Sequence, residues 1–430
     1  MRTCASVSLR LQAGDTLIKT GIVGGGAAGL WAACFLKKEG ASFTLLEKGP
    51  ECGRKLLLTG HGRCNITNRK PVSDLMQGYH EASKFMKPAL SSFTPEDAMA
   101  FAQNELGISL KEEENNRIFP VSDKASDIRD ALVKYAGEEN IKTGFEVVDI
   151  EYDRSAKDGK FTVVERGGGR LNFDVLIMAT GGTTFPQTGS DGKSYDILED
   201  ILGHKVTPLY PALTGIPVAP SDREFTSSLS GVSVYAGAGL YLNNRKKNKT
   251  EGNVLFTHEG LSGPAITELA RDIPKNVKEQ DGWIELDFTP GRDDTEVDKE
   301  LLEQMRVKPD TRLVTIGANY VPQSVSHAIG KRAGVTDITA ANVTREQRKE
   351  YVKNLKHLHL TIDRQPKFET AYVTRGGVAL DEIDRKTCAS KLMPGVYIIG
   401  EALDVDGISG GYNLQAAISE AYIAVRDIMC

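Results

Sequence analysis

The sequence lacks the features that mark membrane proteins and most nucleic-acid-binding proteins. No stretch approaches the roughly 18 consecutive apolar residues that a membrane-spanning helix requires. The chain also lacks an excess of positive charge, because its 430 residues contain 53 lysines and arginines against 58 aspartates and glutamates, for a net charge of −5. Proteins that bind nucleic acid usually carry a basic excess over one face. We therefore expect neither a membrane nor a nucleic acid among the partners of this protein.

Cysteine is scarce and is not arranged in pairs. The six cysteines are Cys4, Cys34, Cys52, Cys64, Cys388 and Cys430. No two of them form a CxxC pattern, which argues against a zinc site and against a thioredoxin-like redox couple. We therefore predict no metal site, and we interpret the cysteines as reduced thiols of a cytoplasmic protein.

The amino terminus has no apolar segment of the kind that a secretory signal contains. Residues 1–13 include Arg2, Arg10 and several serines, and they precede the first predicted strand. We interpret them as a short disordered extension, or as the result of a misassigned start codon, rather than as a targeting peptide.

Glycine, in contrast, is abundant, and the 43 glycines cluster in segments that follow predicted strands. The first cluster belongs to a predicted βαβ unit with a strand (Leu17–Val23), a turn (Gly24, Gly26 and Gly29), a helix (Leu30–Lys38) and a second strand (Phe43–Leu46). In such a GxGxxG turn, the pyrophosphate of a dinucleotide lies at the amino terminus of the helix. Glu47 follows the second strand, where a carboxylate can bind ribose hydroxyls. Its negative charge argues against a 2′-phosphate at this site.

Two further glycine-rich segments favour FAD over NAD as the cofactor. One is Ala179-Thr180-Gly181, which follows a predicted β-meander. The strands of that meander are Glu146–Tyr152, Phe161–Glu165 and Leu171–Met178. The other begins at Gly400–Asp404 and leads into a helix after Gly411, whose free N–H groups can face the pyrimidine ring of a flavin. A nicotinamide dehydrogenase needs neither segment.

The chain contains no second GxGxxG fingerprint, so a dedicated NAD(P)H domain is not expected. A nicotinamide donor would therefore visit the flavin transiently, or the electrons would come from the substrate itself.

Changes in composition along the chain predict inserted domains. Residues 15–210 are predicted to form the first part of an FAD domain, and residues 361–430 to complete it. Between them we predict a β-rich substrate domain at 211–294 and a small helical domain at 295–360. The basic run Arg245–Lys249 is interpreted as the solvated tip of a hairpin. The predicted fold class is α/β, with a glutathione-reductase-like Rossmann-type FAD domain that contains a β-meander and carries the two insertions.

Six longer segments resemble one family of flavoproteins. They are Gly53–Asn68 (GRKLLLTGHGRCNITN), Asn116–Pro120, Ala179–Ser190, Leu255–Pro264, Arg375–Val378 and Gly400–Gln415. These segments resemble the BaiN and aminoacetone-oxidase-like FAD-dependent oxidoreductases, which include the YhiN-like flavoproteins. The resemblance runs in order from Thr20 to Val425. It departs at His61, where the family usually has a small residue, and in the first dozen residues, which have no counterpart.

The resemblance implies one tightly bound FAD and carries binding roles to residues of this chain. Those around the first motif are Gly24, Gly26, Ala27, Ala28, Gly29, Glu47 and Lys48. Those in the next segment are Arg54, Lys55, Gly62, Arg63, Cys64 and Asn65. Those on the meander side are Val147, Ala179, Thr180 and Gly181. Those in the carboxyl-terminal segment are Gly400, Glu401, Asp404, Gly411, Asn413 and Leu414.

Two residues are candidates for catalysis. Arg63 can stabilise negative charge that develops on a carbonyl or on the flavin, or it can contact a phosphate of FAD. His258 can donate a proton or orient the substrate, or it can be a structural histidine at a domain boundary. Cys64 has no resolving cysteine two residues away, so we interpret it as packing near the flavin rather than as a redox relay.

The predicted function is that of an FAD-dependent oxidoreductase in which flavin N5 exchanges hydride with a small organic substrate. The first hypothesis is a reductase of conjugated C=C and carbonyl compounds, such as oxo-steroids or bile-acid-like enones. The second, suggested by the aminoacetone branch of the family, is an oxidase of small amines that uses O₂. The third is a non-catalytic flavin sensor or an RNA-modification partner, and the net charge weighs against RNA. The residues leave the substrate, the electron donor and the oligomeric state open.

Overall fold

A computed structural model describes residues 18–156, 159–278 and 281–430 of the chain. The predictions for residues 1–13 and Cys4, and the start of the first predicted strand at Leu17, lie outside the described residues. The chain divides into two compact units. The first comprises residues up to 181, 188–207 and 377–430, and the second comprises 182–187 and 208–376. Within the described ranges, no helix is both long and apolar enough to cross a membrane.

The first unit opens with a βαβ unit, and further strands and helices follow it along the chain. Its strands are β1 (Lys19–Val23), β2 (Ser42–Glu47), β3 (Thr67–Asn68), β4 (Leu110–Glu113), β5 (Arg117–Pro120), β6 (Ile141–Thr143), β7 (Val147–Tyr152), β8 (Phe161–Glu165), β9 (Arg170–Phe173) and β10 (Val175–Met178). Its helices are α1 (Ala27–Lys38), α2 (Val72–Leu75), α3 (Ser83–Ser92), α4 (Pro95–Asn104), α5 (Ala125–Ala136) and α6 (Ser194–Asp196).

The second unit follows, and the chain then returns to the first. The strands of the second unit are β11 (Tyr210–Ala212), β12 (Ile216–Pro217), β13 (Ser233–Leu242), β14 (Arg245–Phe256), β15 (Gly260–Ser262), β16 (Gly282–Asp287), β17 (Leu358–Thr361) and β18 (Val373–Arg375). Its helices are α7 (Pro220–Ser228), α8 (Pro264–Thr267), α9 (Asp294–Val307), α10 (Leu313–Gly317), α11 (Gln323–Arg332) and α12 (Arg345–Lys356). The elements that return to the first unit are β19 (Val396–Ile398) and α13 (Tyr412–Ile428).

A five-stranded parallel sheet, in the order β19-β10-β1-β2-β6, forms the centre of the first unit. Both faces of this parallel sheet are covered, so β10 (VLIM) and β19 (VYI) read as continuous apolar runs, and Ile22, Leu45 and Ile177 are fully buried. Helices α1 and α13 pack against each other, where the rings of Phe35 and Tyr422 lie 5.5 Å apart. The predicted α/β fold of Rossmann type is therefore confirmed.

The predicted β-meander is present as a separate sheet in the order β7-β8-β9. The single strand that the sequence predicts at Leu171–Met178 is wrong, because it is two strands: β9 ends the meander, and β10 enters the parallel sheet beside β1. Asp174 separates them. Its carboxylate accepts hydrogen bonds from the backbone N–H groups of Lys19, at 2.8 Å, and of Gly159, so the side chain fixes the place where the chain changes sheets.

The second unit contains a six-stranded sheet in the order β12-β15-β14-β13-β16-β17. One hydrophobic core joins this sheet to helices α9 to α12, and fully buried residues of both parts, such as Ile284, Leu301 and Leu355, belong to it. Leu301 and Met305 are buried on α9. The segments 211–294 and 295–360 therefore lie in one compact unit, and their division into two domains stays a prediction.

Strands β13 and β14 form a long hairpin whose two-residue turn is Asn243-Asn244. Both residues have positive φ, 50° and 61°, which asparagine tolerates and which suits the twist of a two-residue hairpin. The basic run begins immediately after the turn, so Arg245–Lys249 is the exposed start of β14 rather than the turn itself.

Candidate flavin site

The dinucleotide turn joins β1 to α1. The backbone N–H of Gly24 donates to the carbonyl of Leu46 at 2.8 Å, and Gly29 lies so close to Gly24 that a side chain there would overlap the carbonyl oxygen of Gly24. Around Gly26, in contrast, no described atom apart from its neighbours along the chain lies within 4 Å of the position that a Cβ would take. The helix begins at Ala27, three residues before its predicted start, and no side chain of the described residues caps it. Its first N–H groups can therefore bind an anion.

Both carboxylate oxygens of Glu47 accept backbone hydrogen bonds, one of them from the dinucleotide turn. Its Oε2 accepts from the N–H of Gly25 and its Oε1 from the N–H of Gly49, both at 2.7 Å. Lys48, the next residue, forms an ion pair of 2.7 Å with Asp191. The carboxylate of Glu47 is thereby fixed at the end of β2, where the ribose of a dinucleotide is predicted to lie.

An ion pair connects two segments that are 346 residues apart in the sequence. Lys55 Nζ lies 2.6 Å from Glu401 Oε2. The hydroxyl of Tyr195 donates to the backbone carbonyl of Glu401 at 3.1 Å. The GRKLL segment and the loop after β19 are thus held together within the first unit, as the predicted flavin site requires. Sequence reasoning missed Tyr195, because a tyrosine on a short helix carries no motif.

Cys64 and Asn65 lie in the backbone turn before β3. Cys64 has a φ of 62° and is fully buried. Burial raises the pKa of its thiol to about 12, so it stays protonated at neutral pH, which fits packing rather than a redox relay. Asn65 is also buried, and its Oδ1 has no hydrogen-bond partner among the described residues.

The segment after β10 passes beside the dinucleotide turn. Ala179 donates its N–H to the carbonyl of Val23 at 2.8 Å, and a side chain at Gly24 would overlap the carbonyl oxygen of Ala179. The hydroxyl oxygens of Thr180 and Ser190 are buried and have no partner in the described part of the chain. Ser190 was not predicted as a site residue, although it ends the motif that contains Thr180.

The carboxyl-terminal segment approaches the same turn. A side chain at Gly400 would meet the Cβ of Ala28 at 2.8 Å. The N–H of Gly400 donates to Glu420 Oε2 at 2.6 Å. Glu420 is fully buried on α13, and desolvation raises the pKa of its carboxyl to about 8. Sequence reasoning missed this residue, because a glutamate inside a helix normally faces solvent.

Several predicted binding residues already have partners inside the protein. Asn413 exchanges two hydrogen bonds with the backbone of Gly407, at 2.8 and 2.9 Å. Asp404 accepts from the hydroxyl of Thr207 at 2.9 Å. Of the other predicted residues, Val147 lies on β7 of the meander, and Gly411 and Leu414 lie at the start of α13. The segments described above contain the rest, which are Ala27, Arg54, Gly62 and Gly181.

Arg63 is engaged in a network of four charges. Its Nη1 lies 2.8 Å from Glu113 and 3.3 Å from Asp123, and Lys111 reaches the same two carboxylates at 3.3 and 2.6 Å. The guanidinium also lies 4.1 Å from the centre of the Phe119 ring. The hydrogen bond with Arg63 lowers the pKa of Glu113, and the one with Lys111 lowers the pKa of Asp123. The charge of Arg63 is therefore balanced by protein groups.

His258 lies in the second unit, in the turn between β14 and β15. Its side chain is exposed, and its backbone carbonyl accepts from the hydroxyl of Ser227 at 2.9 Å. The turn itself is closed by the N–H of Thr257, which donates to the carbonyl of Gly260 at 2.8 Å. The side chain is thus accessible to a ligand.

The residues of the first unit fit a flavin dinucleotide. Three buried oxygens without partners among the described residues, on Asn65, Thr180 and Ser190, lie in motif segments of the first unit. Buried polar groups are normally satisfied, and a flavin offers hydroxyl, amide and phosphate groups that can satisfy them. Across residues 18–156, 159–278 and 281–430, no group of three or more histidines, cysteines, aspartates and glutamates could hold a metal ion.

Comparison with known proteins gives matches over nearly the whole chain. The sequence model of the HI0933-like protein Rossmann domain matches residues 18–427. A "Ribosomal RNA dihydrouridine synthase" from Haemophilus influenzae is 32% identical, over 95% of this chain and 97% of that protein. A protein of the same name from Escherichia coli is 28% identical, over 95% and 97%. A "3-dehydro-bile acid delta(4,6)-reductase" from Clostridium scindens is 28% identical, over 95% and 98%.

Proposed function

Because the chain belongs to the HI0933-like family of Rossmann-domain proteins, we propose that it is an FAD-dependent reductase of a C=C bond conjugated to a carbonyl group. The names of its relatives describe this chemistry on two kinds of molecule. Dihydrouridine is uridine with two hydrogens added across a ring C=C bond that is conjugated to a carbonyl. The 4,6 double bonds of a 3-dehydro bile acid are conjugated to its 3-carbonyl. One reaction type therefore accounts for both.

The convergence of three glycine-rich segments in the first unit supports the cofactor assignment. The N–H groups at the start of α1 would bind the pyrophosphate, and Glu47 would bind the ribose of the adenosine half. Asn65 and Thr180 would offer their buried oxygens to the flavin. The amino terminus of α13, a helix of 17 residues, would favour negative charge at the pyrimidine ring.

The proposed reaction is a two-electron reduction. When bound, the reduced flavin supplies a hydride. The substrate accepts this hydride at the carbon β to the carbonyl and a proton at the α carbon, so the C=C bond becomes a single bond and the cofactor is oxidised. Reduced nicotinamide is the proposed donor that restores the cofactor. His258 stays the candidate proton donor, while Arg63, whose charge is already balanced, is better suited to hold the GRCN segment against Phe119.

The experiment is an anaerobic titration of the flavin-loaded protein with NADPH and NADH, followed by addition of acceptors. We expect the flavin absorbance to bleach and then to recover when a 3-oxo-4-ene steroid or a 4,6-diene analogue is added. The matched control is the corresponding saturated ketone, which has no C=C bond to reduce. Protein that neither contains flavin nor binds added FAD would contradict the proposal.

Oxidation of small amines is the alternative function. It predicts that aminoacetone bleaches the flavin without any nicotinamide, and that air then restores the absorbance with formation of peroxide. Peroxide produced from the amine, together with no recovery by conjugated ketones, would establish the oxidase instead. The five cysteines that the structure describes form no disulfide. Because reduced thiols are typical of the cytoplasm, we propose this location for either enzyme.

A uridine in RNA is the second candidate substrate, and the two relatives named ribosomal RNA dihydrouridine synthase favour it. The test is incubation of ribosomal RNA with the reduced protein, followed by digestion to nucleosides and mass spectrometry. We expect a nucleoside that has gained two hydrogens relative to uridine. Protein carrying oxidised flavin, without a donor, is the control for modification already present in the RNA.

A further inference from the structure

The start of β14 concentrates positive charge on an exposed strand. Four of the five residues from Arg245 to Lys249 are cationic, and all five are exposed. We define the basic hairpin as residues 243–249. No described carboxylate forms an ion pair with any of its four cations, whereas other basic residues of this unit, such as Arg348 and Lys356, are paired with aspartates at 2.7 and 2.8 Å. The hairpin therefore presents uncompensated charge.

The sheet holds these cations in place. Strand β13 pairs with β14 on one side and with β16 on the other. Across the outer surface, Lys246 Nζ lies 5.2 Å from the centre of the Tyr241 ring. That ring stacks on Trp283 at 5.0 Å and 6°, and Trp283 stacks on His359 at 5.1 Å. The ammonium group of Lys246 thus lies against a row of stacked rings, which reduces the entropy that this side chain loses when a ligand is bound.

The side chains of Tyr241 and Lys246 cover Gly239, where a Cβ would lie 3.1 Å from the Tyr241 ring and 3.4 Å from Lys246 Cε. Gly239 pairs with Lys249 on β14 and with Glu285 on β16, and Gly237 lies two residues before it on the same face. The hydroxyl of Tyr241 donates to Glu285 at 3.1 Å, so that carboxylate is turned toward a protein partner. Exposed cations along the start of β14, beside stacked aromatic rings, match an extended chain of phosphates.

We propose that the basic hairpin binds the phosphate backbone of the RNA that carries the uridine to be reduced. This inference rests on the RNA form of the proposed function. The four cations are concentrated on one short strand segment, so they can attract a polyanion although the net charge of the whole chain is −5. Lysines on an exposed strand edge can instead prevent edge-to-edge association between sheets. The experiment below distinguishes RNA binding from this protective role.

The experiment compares two variants with equal loss of charge. One is Lys246→Gln/Lys247→Gln/Lys249→Gln, and the control is Lys308→Gln/Arg345→Gln/Lys349→Gln, whose exposed cations lie elsewhere in the same unit. A fluorescent uridine-containing fragment of ribosomal RNA is titrated at several salt concentrations. We expect the hairpin variant to bind about tenfold more weakly, with a smaller salt dependence, because each lost phosphate contact removes released counterions. The control should bind as the wild type does.

Three results would overturn the inference. They are an absence of RNA binding by the wild type at low salt, equal weakening in both variants, and unchanged RNA binding by the hairpin variant. Self-association of that variant on a sizing column, together with unchanged binding, would assign the cations to protection of the strand edge. Flavin reduction by nicotinamide and recovery by conjugated ketones are measured on the same samples. These readouts need no RNA, so their loss in the wild type would identify a failure of the proposed function instead.

Discussion

At the scale of single residues, the buried carboxyl of Glu420 is the least predictable feature of the candidate site. It lies on α13, accepts from the N–H of Gly400, and leaves Oε1 without a partner among the residues that the structure describes. Burial raises its pKa from 4.5 to about 8. The neighbouring Tyr79 and Cys388 are buried too, and their pKa values are raised well above the ordinary range. Glu420 is therefore the group of this cluster that titrates near neutral pH.

This shift makes stability depend on pH with a defined sign. Above pH 4.5 the unfolded chain releases the proton of Glu420, whereas the folded protein keeps it. The contribution of this carboxyl to the free energy of unfolding is therefore full below pH 4.5 and is lost as pH rises toward 8. The loss is about 1.4 kcal/mol for each pH unit within that window. We expect Glu420→Gln to match the wild type in urea unfolding at pH 5 and to be more stable at pH 8.

The control is Glu199→Gln, which changes an exposed carboxyl of the same unit and should have little effect at either pH. A neutral amide resembles a protonated carboxyl. Equal destabilisation of Glu420→Gln at pH 5 and pH 8 would therefore contradict a protonated Glu420 in the folded protein.

At the scale of secondary-structure elements, the sequence predicts the strands that carry a motif better than it predicts their ends. Glycine spacing locates β1, α1 and β2, and turn residues locate the meander. The boundary at Asp174 could not be predicted, because it depends on N–H groups of Lys19 and Gly159 that only the folded chain brings near. The same holds for Arg63, whose sequence motif indicates a ligand contact while its partners come from β4 and from the turn after β5.

The amino terminus of α13 depends on a buried hydrogen-bond network. Thr67 on β3 is fully buried and donates to Gln415 Oε1 at 2.5 Å, and Gln415 donates to Ser419 at 2.9 Å. We expect Thr67→Val to lower the free energy of unfolding by about 1–3 kcal/mol, because the substitution leaves a buried acceptor unpaired. We also expect weaker flavin retention, because Gly411 packs directly on the backbone of Thr67.

The matched substitution is Thr162→Val on the meander, where the lost hydrogen bond to Asn172 is exposed. That variant should change the denaturant midpoint little and leave flavin content unchanged. Equal stability of the two variants would show that the network around Gln415 does not hold the helix.

At the scale of the whole molecule, the two units differ in what they contribute to the candidate site. All predicted cofactor-binding residues lie in the first unit, and His258 and the basic hairpin lie in the second. A ligand stabilises the structure that binds it, by about 2.7 kcal/mol at a concentration 100 times its dissociation constant. We therefore expect FAD, added to flavin-free protein, to slow amide hydrogen exchange in residues 18–181 and 377–430, with the largest effect in β1, α1 and the start of α13.

Gly26→Val is the variant that makes this result specific to the dinucleotide turn. A side chain at Gly26 meets no protein atom within 4 Å, so the variant should fold, yet it would fill the space that the pyrophosphate needs. We expect it to lose flavin and to show no FAD-dependent protection, while Gly167→Val, in an exposed turn of the meander, behaves as the wild type. If Gly26→Val retained flavin, the cofactor would have to lie elsewhere. The motifs that converge on this turn would then serve packing alone.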